Sequence, residues 1–190
     1  MRNNCHTSPK DSTSANWEVD LKEIVMGLRW LPEEPGASAG WEPANLDALC
    51  VLFDEEGRVV EVVHPGHPSN ANGSVVHTGD SPTGASEWDD ERIFVFLEAL
   101  PNTVSALAFV VASANDHVFS EVRGASCHVS DRVTEREWIR LDLAALGKHK
   151  EHRVATLRRS PAGWQISPDT QAVRAPHQNF YAKETDHADL

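Results

Sequence analysis

Apolar residues gather in short runs separated by Gly, Pro, Asn and Asp, and few of these runs carry a helical period. Glu23–Trp30 reads as a strand, and residues 32–45, with their Pro and Gly, as a loop. Leu46–Phe53 is mostly apolar, as a buried strand should be. Asp54-Glu55-Glu56-Gly57 then supplies a turn in which Gly57 is free to take positive φ. Arg58–Val63 resumes the extended pattern, so residues 46–63 predict a hairpin. Ser74–His77 is a further short strand. Arg92–Leu97 follows and is turned by Leu100-Pro101-Asn102. Val104–Ala112 is the most apolar run and the best candidate for a central strand. Phe119–Val129 is mixed, and Trp138–Leu143 alternates apolar residues with Arg140 and Asp142. Ala144–Lys150 reads as a short helix or a turn. Val154–Arg158 and Trp164–Ile166, joined through Ser160-Pro161-Ala162-Gly163, predict a terminal hairpin. Strands at about ten-residue spacing with few helical patterns predict an all-β fold, an antiparallel β-sandwich with few short helices. No internal repeat is present.

The polar ends set the expected domain limits. Residues 1–16 are rich in Ser, Thr and Asn and read as a disordered N-terminal tail. Residues 17–167 form the sandwich domain and 168–190 a polar C-terminal tail. The chain has 190 residues, enough to bury roughly 70% of its unfolded surface in a single domain. No apolar run approaches the roughly 18 residues of a transmembrane helix. The opening MRNNCHTSPK lacks the apolar stretch of a secretory signal, so the cytoplasm is the expected compartment. Three cysteines, Cys5, Cys50 and Cys127, have no metal-site spacing and form no disulfide framework. Cys50 and Cys127 lie in strand-like runs and read as buried thiols.

Charge narrows the choice of ligand. The net charge is −12, and residues 42–100 hold twelve Asp or Glu against Arg58 and Arg92 alone. Such a surface repels phosphate backbones, which argues against direct nucleic-acid binding, and attracts cations. Residues 120–160 reverse the sign, with nine Lys or Arg against six Asp or Glu. They read as a solvated basic face, the alternative being a basic partner-binding or self-association surface.

The acidity peaks in one loop. Asn72-Gly73-Ser74-Val75-Val76-His77-Thr78-Gly79-Asp80 leads into Thr83-Gly84 and then Asp89-Asp90-Glu91, with Glu87 between. Two carboxylates about 4 Å apart repel by roughly 1 kcal/mol in water and about 4 at an effective dielectric of 20. Several in one bent loop favour a divalent cation, the alternative being a solvated acidic turn. His77 reads as a satisfied structural histidine, with a hydrogen bond to Asp80 as the alternative. His64/His67 and His149/His152 are H-x-x-H pairs without a partner at a known metal offset. Trp30, Trp138 and Trp164 read as core. Trp88, inside the acidic loop, caps it, meets a partner or folds on the sandwich edge.

These residues resemble the TerD-type tellurium-resistance and stress-response family of bacteria. The glycine-punctuated acidic block has that family's spacing, and Leu97-Glu98-Ala99-Leu100-Pro101 continues it. Val25–Trp30, Leu46-Asp47-Ala48, Arg140-Leu141-Asp142-Leu143, Arg158-Arg159 and Gly163-Trp164 resemble its flanking segments. The likeness spans about residues 19–166. It implies a calcium-binding β-sandwich. The candidate ligands are Asp80, Glu87, Asp89, Asp90 and Glu91 as carboxylates and Ser81 and Thr83 as hydroxyls. Asp47 closes the shell from another strand. Asn45, Asn72, Ser81, Glu87 and Trp88 depart from the family pattern, which leaves the number of calcium ions open. No EF-hand, nucleophile elbow, Walker loop or zincin motif is present. The expected function is a non-catalytic calcium-binding or sensor module. The alternatives are an interaction scaffold with a degenerate site and a metal-dependent hydrolase.

Overall fold

A computed structural model describes residues 21–32 and 42–169 of the chain. The expected tail 1–16 and all but the first two residues of 168–190 lie outside the described residues. The fold is all-β. Its strands are β1 (Glu23–Arg29), β2 (Leu46–Phe53), β3 (Val59–Val63), β4 (Val75–His77) and β5 (Glu91–Phe96), then β6 (Ala106–Ser113), β7 (Ser126–Asp131), β8 (Glu137–Asp142), β9 (Glu151–Ser160) and β10 (Gly163–Pro168). Short 3-10 turns at Leu97–Ala99, Phe119–Glu121 and Leu143–Leu146 join some of them. The predicted short helix after β8 is the last of these turns. The weak run Phe119–Val129 divides into a turn and the start of β7, and the closing strand runs on through Pro168.

The strands form two five-stranded antiparallel sheets, ordered β4-β5-β1-β7-β8 and β10-β9-β6-β2-β3. Alternate residues of each inner strand meet between the sheets. Ile24, Met26 and Leu28 of β1 face Ala48, Cys50 and Leu52 of β2 and Leu107, Phe109 and Val111 of β6 across one core. Trp30 and Trp164 are buried in that core, and Trp138 packs against it. β2 and β6 are apolar at nearly every position because both of their faces are buried. The predicted hairpin over 46–63 forms, with Gly57 at φ 75° in its turn. Only glycine adopts that angle without steric cost.

His152 is the one histidine of β9. It pairs with Val111, and burial holds its pKa below the ordinary histidine value. A nearby Asp169 opposes the shift, whereas His149 and Arg153 reinforce it. The unfolded chain therefore takes up a proton below about pH 6.5 before the native one does. The stability that neutral His152 allows is complete above that pH and declines as pH falls below it. His152→Gln is expected to flatten the fall of melting temperature between about pH 7 and 5.5, read by thermal denaturation in matched buffers.

Candidate metal centre

One end of the sandwich holds the acidic residues. β5 begins at Glu91, whose side chain turns inward like those of Ile93 and Val95 and is fully buried. It reaches the other sheet. Glu91 Oε2 accepts the Ala48 N–H of β2 at 2.8 Å, at a stretch of β2 that lies beyond its pairing with β3. The same oxygen lies 3.2 Å from His77 Nε2, and Oε1 accepts the Ser81 N–H at 3.3 Å. His77 Nδ1 accepts the Gly79 N–H at 3.0 Å, which leaves the ring proton on Nε2, aimed at Glu91. His77 is thus a structural histidine whose partner is Glu91 rather than Asp80.

Asp47 of β2 and Asp80 of the loop complete the group. Ligand oxygens of Asp47, Asp80 and Glu91 all lie within 4.8 Å of one another. Asp47 and Glu91 are buried and Asp80 is exposed, so the cluster opens to solvent on the loop side. Burial raises the pKa of Glu91, and the charge of Asp47 raises it further against the hydrogen bonds from His77 and Ala48. Among the described residues this is the one such grouping of Asp, Glu, His or Cys, and neither H-x-x-H pair forms another. His67 instead bonds Glu61 at 2.9 Å.

The other candidate ligands divide by position. Asp90 closes the loop, with Oδ2 accepting the Trp30 N–H at 2.9 Å and Oδ1 accepting the Ser86 N–H at 2.9 Å. Ser81 stands between Asp90 and Glu91, its hydroxyl 3.5 Å from Asp90 Oδ1. Thr83 and Glu87 are exposed loop positions, and Glu87 contributes no oxygen to the cluster. Trp88 projects into solvent at 73% exposure, so it neither caps the cluster nor folds onto the sandwich. Asn72 lies in the turn before β4, where Oδ1 accepts the Ser74 hydroxyl at 2.6 Å and Nδ2 donates to Ala99 O.

Asp89 turns away from the cluster. Its Oδ2 lies 2.9 Å from Arg92 Nε and 3.3 Å from His128 Nε2, on the outer face of the β1 sheet. Burial works against its ionisation, but His128 and Arg92 outweigh it and lower the pKa. His128 is held in turn by Ser130 Oγ at 2.7 Å. This contact crosses β1 at Gly27, where a Cβ would stand 2.2 Å from His128 Nε2 and 2.6 Å from Asp89 Oδ2. Gly84 is fixed similarly from the loop side, with φ 64° and its Cα against the Trp30 indole. His128 does not stand out in the sequence, and Gly27 does so only as part of the family-like segment Val25–Trp30, because each sits far along the chain from the loop it supports.

Residues 13–179 match the TerD domain. The chain belongs to the TerD family. The tellurium resistance protein TerZ of Serratia marcescens is 35% identical over 159 residues, covering 81% of this chain and 82% of that protein. General stress protein 16U of Bacillus subtilis is 34% identical over 131 residues, covering 65% and 66%. The TerD homologue SCO6318 of Streptomyces coelicolor superposes with a TM-score of 0.72 at 20% identity, covering 84% of this chain and 95% of that one. It has the same fold. The TerD-family loop of this chain is therefore held on three sides, by Trp30, by His77 and by the Asp89–His128 contact.

Gly27→Ala forces a methyl into the Asp89–His128 contact. The expected cost is about 1–3 kcal/mol in chemical denaturation, as for other overpacked sites. Adding His128→Ala removes the nearer of the two obstructing side chains and releases Asp89, the other, to swing aside, so the double variant is expected to lose less than the sum of the single losses.

Proposed function

We propose that this TerD-family protein binds calcium at Asp47, Asp80 and Glu91 and acts as a non-catalytic binding module in chemical-stress tolerance. The observation that carries this reading is the convergence of three carboxylates from separate chain segments within 4.8 Å, two of them buried. Gathering like charges in a half-closed site is unfavourable until a divalent cation neutralises them. The donor set is all oxygen, which suits a hard cation that takes six to eight oxygen ligands. Asn45 adds to the fit. Its Oδ1 is a buried acceptor with no hydrogen-bond donor among the described residues, two positions before Asp47. Asp47, Asp80 and Glu91 would supply the charge, and Ser81, whose N–H bonds Glu91 Oε1, would add a neutral oxygen donor. Asp90 serves this reading as the loop's clamp, and Asp89 as its tie to the sheet.

The names of two relatives, a tellurium resistance protein and a general stress protein, support the chemical-stress part of this reading. Thiol chemistry gives the described cysteines no part in it. Both are buried; burial pushes the Cys50 thiol far up and the Cys127 thiol to about 12. The reactive form of cysteine is the thiolate, which neither can reach near neutrality. No described helix is long and apolar enough to cross a membrane. The exposed Trp88 favours a second reading, in which the loop also offers a contact for a protein partner.

Calcium added to chelator-stripped protein is expected to raise the melting temperature. A free concentration a hundred times the Kd contributes about 2.7 kcal/mol, or roughly 5–10 °C for a domain of this size. Calorimetry should register binding that Asp80→Asn weakens and that Asp89→Asn leaves in place. Unchanged melting across a millimolar titration would refute the reading. Iodoacetamide is expected to leave Cys50 and Cys127 unmodified in the native protein and to label both in denaturant, as peptide mass mapping can show.

A further inference from the structure

A bend at Asp90 sends neighbouring carboxylates to opposite faces of one sheet. β5 turns Glu91, Ile93 and Val95 inward and leaves Arg92, Phe94 and Phe96 on its outer side. Continued backwards by two residues, that alternation would bring Asp89 inward as well, beside Asp47, Asp80 and Glu91. The chain bends at Asp90 instead. Asp89 thereby reaches the outer face, where its carboxylate occupies the place that a Gly27 Cβ would need.

Charge accounts for the detour. Arg92, Gly27, His128 and Arg140 stand in one cross-strand row over β5, β1, β7 and β8. Three of these four positions carry a basic side chain, and like charges set opposite one another in a sheet repel. Glycine leaves a gap in the row, and Asp89 fills it as a shared counter-ion. Its Oδ2 lies 2.9 Å from Arg92 Nε and 3.3 Å from His128 Nε2. Glu137 first, and Asp89 after it, favour the cationic form of Arg140.

The two close contacts of Asp89 differ in what they fix. Arg92 follows Asp89 by three residues in the same segment, so it travels with the loop. His128 belongs to β7, on the far side of β1, and holds the loop against the sheet. Ser130, buried on the same face of β7, lies 2.7 Å from His128 Nδ1. A hydroxyl proton donated there leaves the ring proton on Nε2, facing Asp89.

We infer, on the calcium reading, that His128 is a positioning residue of the metal centre and acts through Asp89. It keeps the bend at Asp90 in the form that sends Glu91 to the cluster and Asp89 away from it. A fourth like charge is thereby kept out of a half-closed group of three carboxylates. The same bend places Asp90 Oδ1 and Glu91 Oε1 where the Ser86 and Ser81 N–H groups reach them. Groups that orient the ligands of a metal typically change its affinity by about 10–100-fold when removed.

His128→Ala is expected to weaken calcium binding about tenfold in calorimetry, at the low end of that range. His128→Gln, which carries an amide N–H donor of similar reach, is expected to recover most of the loss. Asp89→Ala, unlike Asp89→Asn, leaves no acceptor oxygen at the contact and is expected to weaken binding by a similar factor. Adding His128→Ala to Asp89→Ala is then expected to cost nothing further, as action through Asp89 requires. Ile166→Val, in the core from β10 of the opposite sheet, lowers stability and is expected to leave the affinity unchanged. In calcium-free protein, hydrogen exchange at the Ser81 and Ser86 amides is expected to quicken several-fold in His128→Ala and not in Ile166→Val. Unchanged affinity in His128→Ala, a further loss in the double variant, or unchanged exchange at both amides would overturn the inference while leaving the metal reading intact. A wild-type protein that binds no calcium would overturn the metal reading, and the inference with it.

Discussion

Glu91 ties the two sheets together at the end where the acidic residues gather. A buried carboxylate is costly to hold in a low-dielectric interior unless its oxygens are hydrogen-bonded. Here one oxygen takes a backbone N–H from the opposite sheet and faces a histidine proton, and the other takes a backbone N–H from the loop. The Ala48 N–H matters as much as the carboxylate. β2 extends past the end of β3, so without Glu91 it would carry an unmet donor inside the protein. One side chain therefore satisfies a strand edge, fixes a loop and sets how closely the sheets approach at that end.

Around Glu91 the loop is held by contacts of different kinds. Asp90 receives a backbone N–H from the end of β1, Gly84 lies on the Trp30 ring, and Asp89 crosses Gly27 to reach His128. Each contact needs a small or polar residue at one specific place. The run Asp89-Asp90-Glu91 is thereby split three ways: one residue turns to the outer sheet face, one closes the loop and one enters the core. The three carboxylates do not converge on one point, and the close grouping among the described residues gathers Asp47, Asp80 and Glu91.

Much of this architecture is legible in the chain. The apolar runs at Leu46–Phe53 and Val104–Ala112 mark the central strands, because two-faced burial leaves few polar positions in them. Gly57 and the acids before it mark a hairpin for the same local reason. What local pattern could not settle is direction. Whether Asp89 or Glu91 turns inward depends on the strand register of β5 against β1, and register is a property of paired strands. Asp47 joins the loop acids in the sequence only through the family resemblance, since 33 positions separate Asp47 from Asp80. His128 carries no signal, being an ordinary residue of a mixed strand whose partner is 39 positions away.

The provenance of the three clustered carboxylates has a kinetic side. Asp47 comes from one sheet, Glu91 from the other and Asp80 from the loop between two strands. No hairpin or local turn holds more than a part of the trio. The grouping exists only once the sheets have closed on each other, so it requires long-range contacts whose loop-closure entropy must be met before the trio forms. An ion held there would have little to grasp in a half-folded chain. It would slow the separation of the sheets more than it hastened their meeting, acting as a latch on the finished fold and not as a seed for it.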